Sequence, residues 1–293
     1  MMRVRAIPRE KIHEIRHAGW VDRSRSPFAE GSTVWVPVKP GEPCDREVPR
    51  RVPFKGRGFY MVGDIAIIHG KKPSTAEVEE IAGYRRPRGI LWIASLRNET
   101  RTPDTELLWG EAGEVCHKEN AYAYIFDPRR VMFSQGNREE KMRVAEMVRS
   151  GTGQERVADM FAGIGYFSVP LAGAGAQVHA IEINPVAFEY LNRTIRANGF
   201  SDRITTSLGD SRQLLNGTYD RIIMGHFEAV TMLSSALQHI TRGGIIHVHS
   251  IGSVEDQIKS QVEGTDFSAS INVHKVKKYR PHEWHIVQDV SIA

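Results

Sequence analysis

Residues 159–165 read Asp-Met-Phe-Ala-Gly-Ile-Gly, between an apolar run, VADMF (157–161), and a helix-like run, GYFSVPLAGAG (165–175). Gly163 and Gly165 at such a junction let backbone pass close to a bound nucleotide. Glu182 closes the next apolar stretch, QVHAIEIN, and Asp210 closes the third, RITTSLGD. A carboxylate at the end of a second strand suits ribose hydroxyls, and one after a third strand suits an adenine amino group. No Gly-Lys-Ser/Thr follows the turn, which excludes a P-loop. A dinucleotide fingerprint, in which the helix start approaches a pyrophosphate, needs Gly or Ala at its third position, and Ser168 stands there instead. S-adenosylmethionine has no phosphate and does not need that glycine. The spacing therefore points to S-adenosylmethionine held by Gly163, Gly165, Glu182 and Asp210, with Phe161 a further candidate in the same turn. Read more simply, Glu182 is an exposed strand-end carboxylate and Asp210 caps a helix over SRQLL.

The elements that must position these residues alternate. NREEKMRVAEMVRSG (137–151) predicts a helix with Asn137 as N-cap and Gly151 just past its end. VADMF and QVHAIEIN are the first two strands of a Rossmann-like domain. Asn184 then caps a helix with Pro185 at its first position and Phe188, Leu191 and Ile195 on one face. RITTSLGD, YDRIIMG and GGIIHVHSI are strands three to five. This βαβα rhythm predicts a parallel sheet covered by helices on both faces. SASINVHKV and EWHIVQDVSI break the rhythm as two strands joined by KKYRPH. Seven strands with such a closing pair are the pattern of S-adenosylmethionine-dependent methyltransferases. The expected fold class is therefore α/β, a Rossmann-like class I methyltransferase fold over residues 131–293. Residues 1–130 read as a smaller mixed α+β region of one or two subdomains. There STVWVPV, YMVGDIAIIHG, GILWIASL and AYAYIFD are strands, and KPSTAEVEEIAGY is a helix capped by Ser74 or Thr75.

The 293 residues are 41% hydrophobic and 25% charged, an ordinary globular composition. No apolar run approaches the roughly 18 residues of a membrane span. The start has no apolar h-region, so no secretion signal is expected. Cys44 and Cys116 fit neither a disulfide framework nor a zinc site, so no metal and a reducing cytoplasm are expected. Net charge is +4, yet residues 1–57 hold 13 Lys/Arg against 7 Asp/Glu. A basic N-terminal stretch on a near-neutral body suggests a polyanionic partner such as RNA. Its Arg and Lys side chains, with Arg85, Arg86 and Arg88, would contact phosphates. KVKKYRPH (275–282) reads either as a second RNA contact or as a solvated hairpin tip.

GDIAII, His117-Lys118-Glu119-Asn120, FSQGNREEK, DMFAGIGYFSVP, AIEINP and LGDS occur in order over about residues 57–252. Together they resemble the archaeal tRNA guanine-37 modification enzymes, which comprise N1-methyltransferases and their wybutosine-pathway relatives. The resemblance implies that Ser134 and Lys141 contact the methionine end of the cofactor, Glu182 the ribose, and Asp210 with Ser211 the adenine. It also implies a tRNA(Phe) anticodon region as substrate, and a monomer is expected. The methyltransferases carry an Asn-Leu/Met-Pro box after strand four, where this sequence has IIMGHF. They carry Ser-x5-Glu-Arg where this sequence has Ser134, Glu140 and Lys141. Met224-Gly225 is similar to the aminocarboxypropyltransferase branch. That branch moves the 3-amino-3-carboxypropyl group, not the methyl, onto C7 of the tricyclic wyosine precursor at position 37. N1-methylation of guanine 37 is the alternative. A non-catalytic RNA-binding module and a small-molecule methyltransferase are more distant ones. For the proton lost from the acceptor, Glu140, His226 and solvent are the candidate bases. Asn137-x-x-Glu140 is equally a capping-box spacing, and a lone His226 is equally a structural side chain.

Overall fold

The computed structural model describes residues 1–15, 18–49, 54–98, 100–151 and 154–293. The chain forms two compact units, Met1–Lys55 and Gly56–Ala293. Arg16, Arg50 and Arg51 of the basic N-terminal stretch lie outside the described residues.

In the first unit β1 (Met2–Pro8), β2 (Phe28–Glu30), β3 (Thr33–Pro37) and β4 (Arg46–Val48) form an antiparallel sheet in the order β2-β3-β1-β4. The STVWVPV alternation is β3, which turns Val34 and Val36 inward as period two requires.

The second unit begins with β5 (Tyr60–Val62), β6 (Ile65–His69), α1 (Thr75–Arg85), β7 (Gly89–Arg97) and β8 (Thr102–Gly110), a sheet in the order β5-β6-β7-β8. YMVGDIAIIHG is a hairpin rather than one strand. Gly63 turns it at φ +56°, and a side chain there would crowd Val115 Cβ at 2.9 Å. Ser74 caps α1 in a reciprocal box with Glu77. The hairpin β9 (Val115–Glu119) and β10 (Tyr122–Phe126) follows. Ala123 N donates to Asn198 Oδ1, Asn198 Nδ2 donates to Ala123 O, and Ile125 N donates to Thr194 Oγ1. Tyr124 and Phe126 share a core with Ile164, Ala187 and Tyr190. These ties place residues 115–126 in the same unit as the helix that carries Thr194. The division expected at 130/131 thus falls inside the second unit, and the break between units is at 55/56.

The remaining strands are β11 (Arg156–Asp159), β12 (Gln177–Glu182), β13 (Ile204–Leu208), β14 (Tyr219–Met224), β15 (Ile240–Ile251), β16 (Ala269–Arg280) and β17 (Glu283–Ile292). They form one sheet in the order β13-β12-β11-β14-β15-β17-β16, in which β17 runs antiparallel to both its neighbours. The helices are α2 (Arg138–Arg149), α3 (Ser168–Ala174), α4 (Pro185–Ala197), α5 (Ser211–Leu214), α6 (Leu233–Leu237) and α7 (Glu255–Glu263). Adjacent residues of single strands enter opposite cores. Ala158 and Ile222 pack with Leu233, Ile258 and Val290, whereas Val157 and Ile223 pack with Val144, Leu171 and Leu191. The sheet is therefore covered on both faces, as the Rossmann-like class I methyltransferase fold requires. Its strand order reverses between β11 and β14, which opens a crevice at their carboxyl ends.

The closing pair differs from its expected form. β16 runs through Lys277, which pairs with His285, and Lys278, which pairs with Trp284. Only Pro281 and His282 make the turn, with His282 at φ +65°. Register shifts occur between Lys275 and Lys277 and between Lys278 and Arg280. Among the described residues no helix is long and apolar enough to cross a membrane.

Candidate cofactor cleft

The glycine turn is built from the end of β11. Asp159 is fully buried, and its carboxylate accepts from Ser168 N (3.1 Å), Ser168 Oγ (2.6 Å) and Phe161 N (3.4 Å). Burial outweighs these donors and pushes its carboxyl up to about 6. Asp159 thus ties the strand end to the start of α3. Gly163 and Gly165 stand at φ +58° and +96°. A Cβ on Gly163 would overlap the Tyr166 ring, so close approach as well as conformation demands glycine. Glu182 fixes the other side. Its Oε2 accepts from Gly163 N and its Oε1 from Asn184 N, each at 2.7 Å. Burial holds its carboxyl above the usual range, against those two donors.

Over this turn lies a cavity of about 700 Å³. Ser134, Phe161, Gly163, Glu182, Asp210, Ser211 and His226 all border it. Asp210 is both a helix cap and a cavity residue. It accepts from Arg212 N at 2.9 Å as the cap of α5 and borders the cavity as well. The Arg212 guanidinium beside it holds its carboxyl below the ordinary value. Gly165 does not border the cavity; it packs toward Val169 and Leu191 and shapes the turn from behind.

Two expected site residues are displaced. Lys141 is fully buried, with Nζ 2.9 Å from Glu119 Oε1 and within 5.0 to 5.7 Å of the Phe133, Tyr166 and Tyr124 ring centres. Burial lowers its pKa against the pull of Glu119. Its charge is already matched by the glutamate of the His117–Asn120 segment, and it is not among the residues bordering the cavity. Glu140 is also buried. It accepts two bonds from Arg143, at 2.8 and 2.7 Å, while Arg143 reaches Asp289 at 2.7 and 3.0 Å. It neither caps α2, since Asn137 makes no side-chain cap bond, nor borders the cavity. An i,i+3 guanidinium with a second buried carboxylate behind it is the stronger partner.

The cleft holds further side chains that the sequence reading did not assign. Phe227 meets Tyr279 edge-on at 5.3 Å, and the Arg101 guanidinium lies 5.5 Å over the Phe227 ring. Lys277 borders the cavity from β16. The basic run KVKKYR was the visible signal for Lys277 and Tyr279; Arg101 carried none. Asn137 also borders the cavity, and its Oδ1 is buried with no hydrogen-bond partner. Such an acceptor fits a ligand with an N–H donor. With Glu182 and Asp210 at the strand ends, the set suits an adenosyl group that bears an amino-acid tail. Among the described residues no cluster of His, Cys, Asp and Glu is arranged to hold a metal.

The family described as the TRM5/TYW2 methyltransferase domain matches residues 115–277. A tRNA(Phe) (4-demethylwyosine(37)-C(7)) aminocarboxypropyltransferase from Methanocaldococcus jannaschii is 34% identical, over 80% of this chain and 98% of that protein. The crystal structure of Pyrococcus horikoshii TYW2 in complex with MeSAdo is similar at a TM-score of 0.70 and 28% identity, covering 81% of this chain and 91% of that one. The structure of wild-type Trm5b from Pyrococcus abyssi is similar at a TM-score of 0.73 and 26% identity, covering the whole of both chains.

Proposed function

This chain belongs to the TRM5/TYW2 methyltransferase family, and from that premise we propose that it is a tRNA-modifying aminocarboxypropyltransferase. It takes the 3-amino-3-carboxypropyl group of S-adenosylmethionine and places it on C7 of the tricyclic wyosine precursor at position 37 of tRNA(Phe), a step of wybutosine-type biosynthesis. The observation that carries this reading is the nearly end-to-end match to the M. jannaschii aminocarboxypropyltransferase. The cleft supports it. β14 ends at Met224 and Gly225 follows it; neither carries a side-chain oxygen or nitrogen that could accept from a reacting amine. The full-length likeness to Trm5b keeps N1-methylation of guanine 37 as the second reading. Against that reading stands the absence of the Asn-Leu/Met-Pro box.

The cofactor supplies a sulfonium centre with electrophilic carbons. This chain's residues supply placement, which is much of the catalysis in such transfers. Glu182 and Asp210 with Ser211 hold the adenosyl portion, and Ser134 and Asn137 face the cavity from the segment before α2. The Phe161 and Phe227 rings border the same cavity. As the bond from Cγ to C7 forms, the Cγ–S bond would break, its electron pair leaving with methylthioadenosine, and C7 must release a proton. Of the two side-chain bases expected from the sequence, His226 borders the cavity and Glu140 does not. We assign the proton to the His226 imidazole.

The deciding experiment uses S-adenosylmethionine labelled separately on the methyl and on the carboxypropyl carbons, with tRNA carrying the wyosine precursor. Carboxyl label is expected in the tRNA, without methyl label. Methyl label alone, entering a parallel sample of tRNA with unmodified guanine 37, would instead establish the methylation reading.

A further inference from the structure

Lys277 and Asn137 meet across the cleft from distant parts of the chain. A Cβ placed on Gly136 would overlap Lys277 Nζ and lie 2.8 Å from its Cδ, so the lysine stem rests directly on the Gly136 backbone. Its ammonium therefore lies against residue 136, next in the chain to Asn137, whose buried Oδ1 has no hydrogen-bond partner. Among the described residues no carboxylate lies within ion-pair distance of Lys277. Burial and then the neighbouring Arg101 charge lower its pKa, and nothing nearby raises it. Of the other cations that border the cavity, Arg212 is paired with Asp210, and the Arg101 guanidinium lies over the Phe227 ring. A half-buried cation without an anion is unfavourable, and so is a buried acceptor without a donor. Bordering one cavity, they complement a group that carries one carboxylate and one ammonium.

We propose that Lys277 and Asn137 form the seat for the zwitterionic amino-acid tail of S-adenosylmethionine, with Lys277 Nζ pairing the α-carboxylate and Asn137 Oδ1 accepting from the α-ammonium. The inference rests on the aminocarboxypropyl reading above and adds a reason for it. A tail pinned at both charged groups holds its Cγ at a fixed place, and that carbon is the one transferred. The cation that the sequence placed at Lys141 is thereby supplied from β16.

Calorimetric titration of the full chain tests this without any chemistry taking place. The probes are S-adenosylmethionine and methylthioadenosine, which shares the adenosyl group and lacks the tail. Lys277→Ala is expected to weaken S-adenosylmethionine about tenfold or more, while methylthioadenosine stays within about twofold. Gly136→Ala, which drives the lysine head away, is expected to reproduce that pattern, and Lys277→Arg to restore part of the loss. Equal losses for both probes, or no loss for either, overturn the proposal. So does an unchanged S-adenosylmethionine affinity accompanied by weaker tRNA binding and a salt slope smaller by about one, which would make Lys277 a phosphate contact. The labelling experiment reports separately on the reaction. Methyl transfer there with a tail-specific loss here would remove the function and keep the seat.

Discussion

At the cleft wall the Phe161 and His226 rings stack, with centroids 5.5 Å apart and planes 23° apart. The stack fixes the imidazole plane, which a base must have fixed before it can receive a proton in the transition state. His226→Asn is expected to slow aminocarboxypropyl transfer by about 10²-fold, within the range of a positioned general base. S-adenosylmethionine affinity should hold, and single-turnover rates beside calorimetry read the two separately. A loss of affinity with an unchanged rate would make His226 a binding residue instead. That Gly163, Glu182 and Asp210 lie together was legible in the sequence, because each stands at or just past the end of a parallel strand, and the three border one cavity. Lys141 misled because a matching cation in the expected motif position is buried against Glu119, a pairing across 22 residues. Lys277 was illegible as a site residue because its place depends on Gly136, far away in the chain.

At the scale of elements, Arg143 joins α2 to β17 by binding Glu140 and Asp289 at once. Asp289 also accepts from His247 Nδ1 at 2.6 Å and pairs with His274 Nε2 at 3.2 Å. Burial pushes its carboxyl up, but His247 and Arg143 outweigh burial and hold it far below the usual range. Arg143→Ala leaves the buried Glu140 and Asp289 without their shared guanidinium, and is expected to cost about 3–5 kcal/mol of stability. Because the folded-state pKa of Asp289 is depressed, its contribution is present at neutral pH and is lost as pH falls below about 4. Urea unfolding across pH should therefore show the gap between wild type and variant narrowing on the acid side. A gap that widens there would refute the linkage. The elements legible beforehand were those with local signatures: the Ser74 capping box, the Asn184 cap followed by Pro185, and the alternation of strands and helices from β11 to β15. β8 was not, because Pro103 alone of its residues is buried and the strand carries no apolar pattern. The end of β16 was not, because Lys277 to Arg280 reads as a polar turn until its pairing with β17 is known.

At the scale of the whole molecule, the first unit holds 12 Lys/Arg against 7 Asp/Glu within residues 1–55. Arg9, Lys11 and Lys39 are exposed there. On the proposed function this unit meets RNA phosphates, so tRNA binding should weaken steeply with salt. Replacing those three residues by Gln is expected to lower the slope of log affinity against log salt by about one for each phosphate left without its cation, with cofactor affinity unchanged. An identical slope in the variant would show that these side chains do not meet the RNA. The second unit carries its own form of selectivity in the pairing of β16 with β17, where Val276 and Tyr279 have no opposite residue. Each unmatched position kinks the strand and tightens its coil, and between them Lys277 enters the cleft. What the cleft accepts is therefore encoded by counting as much as by chemical identity. An indel of one codon in this ribbon would act as a change of substrate preference, although every amino acid lining the pocket kept its name.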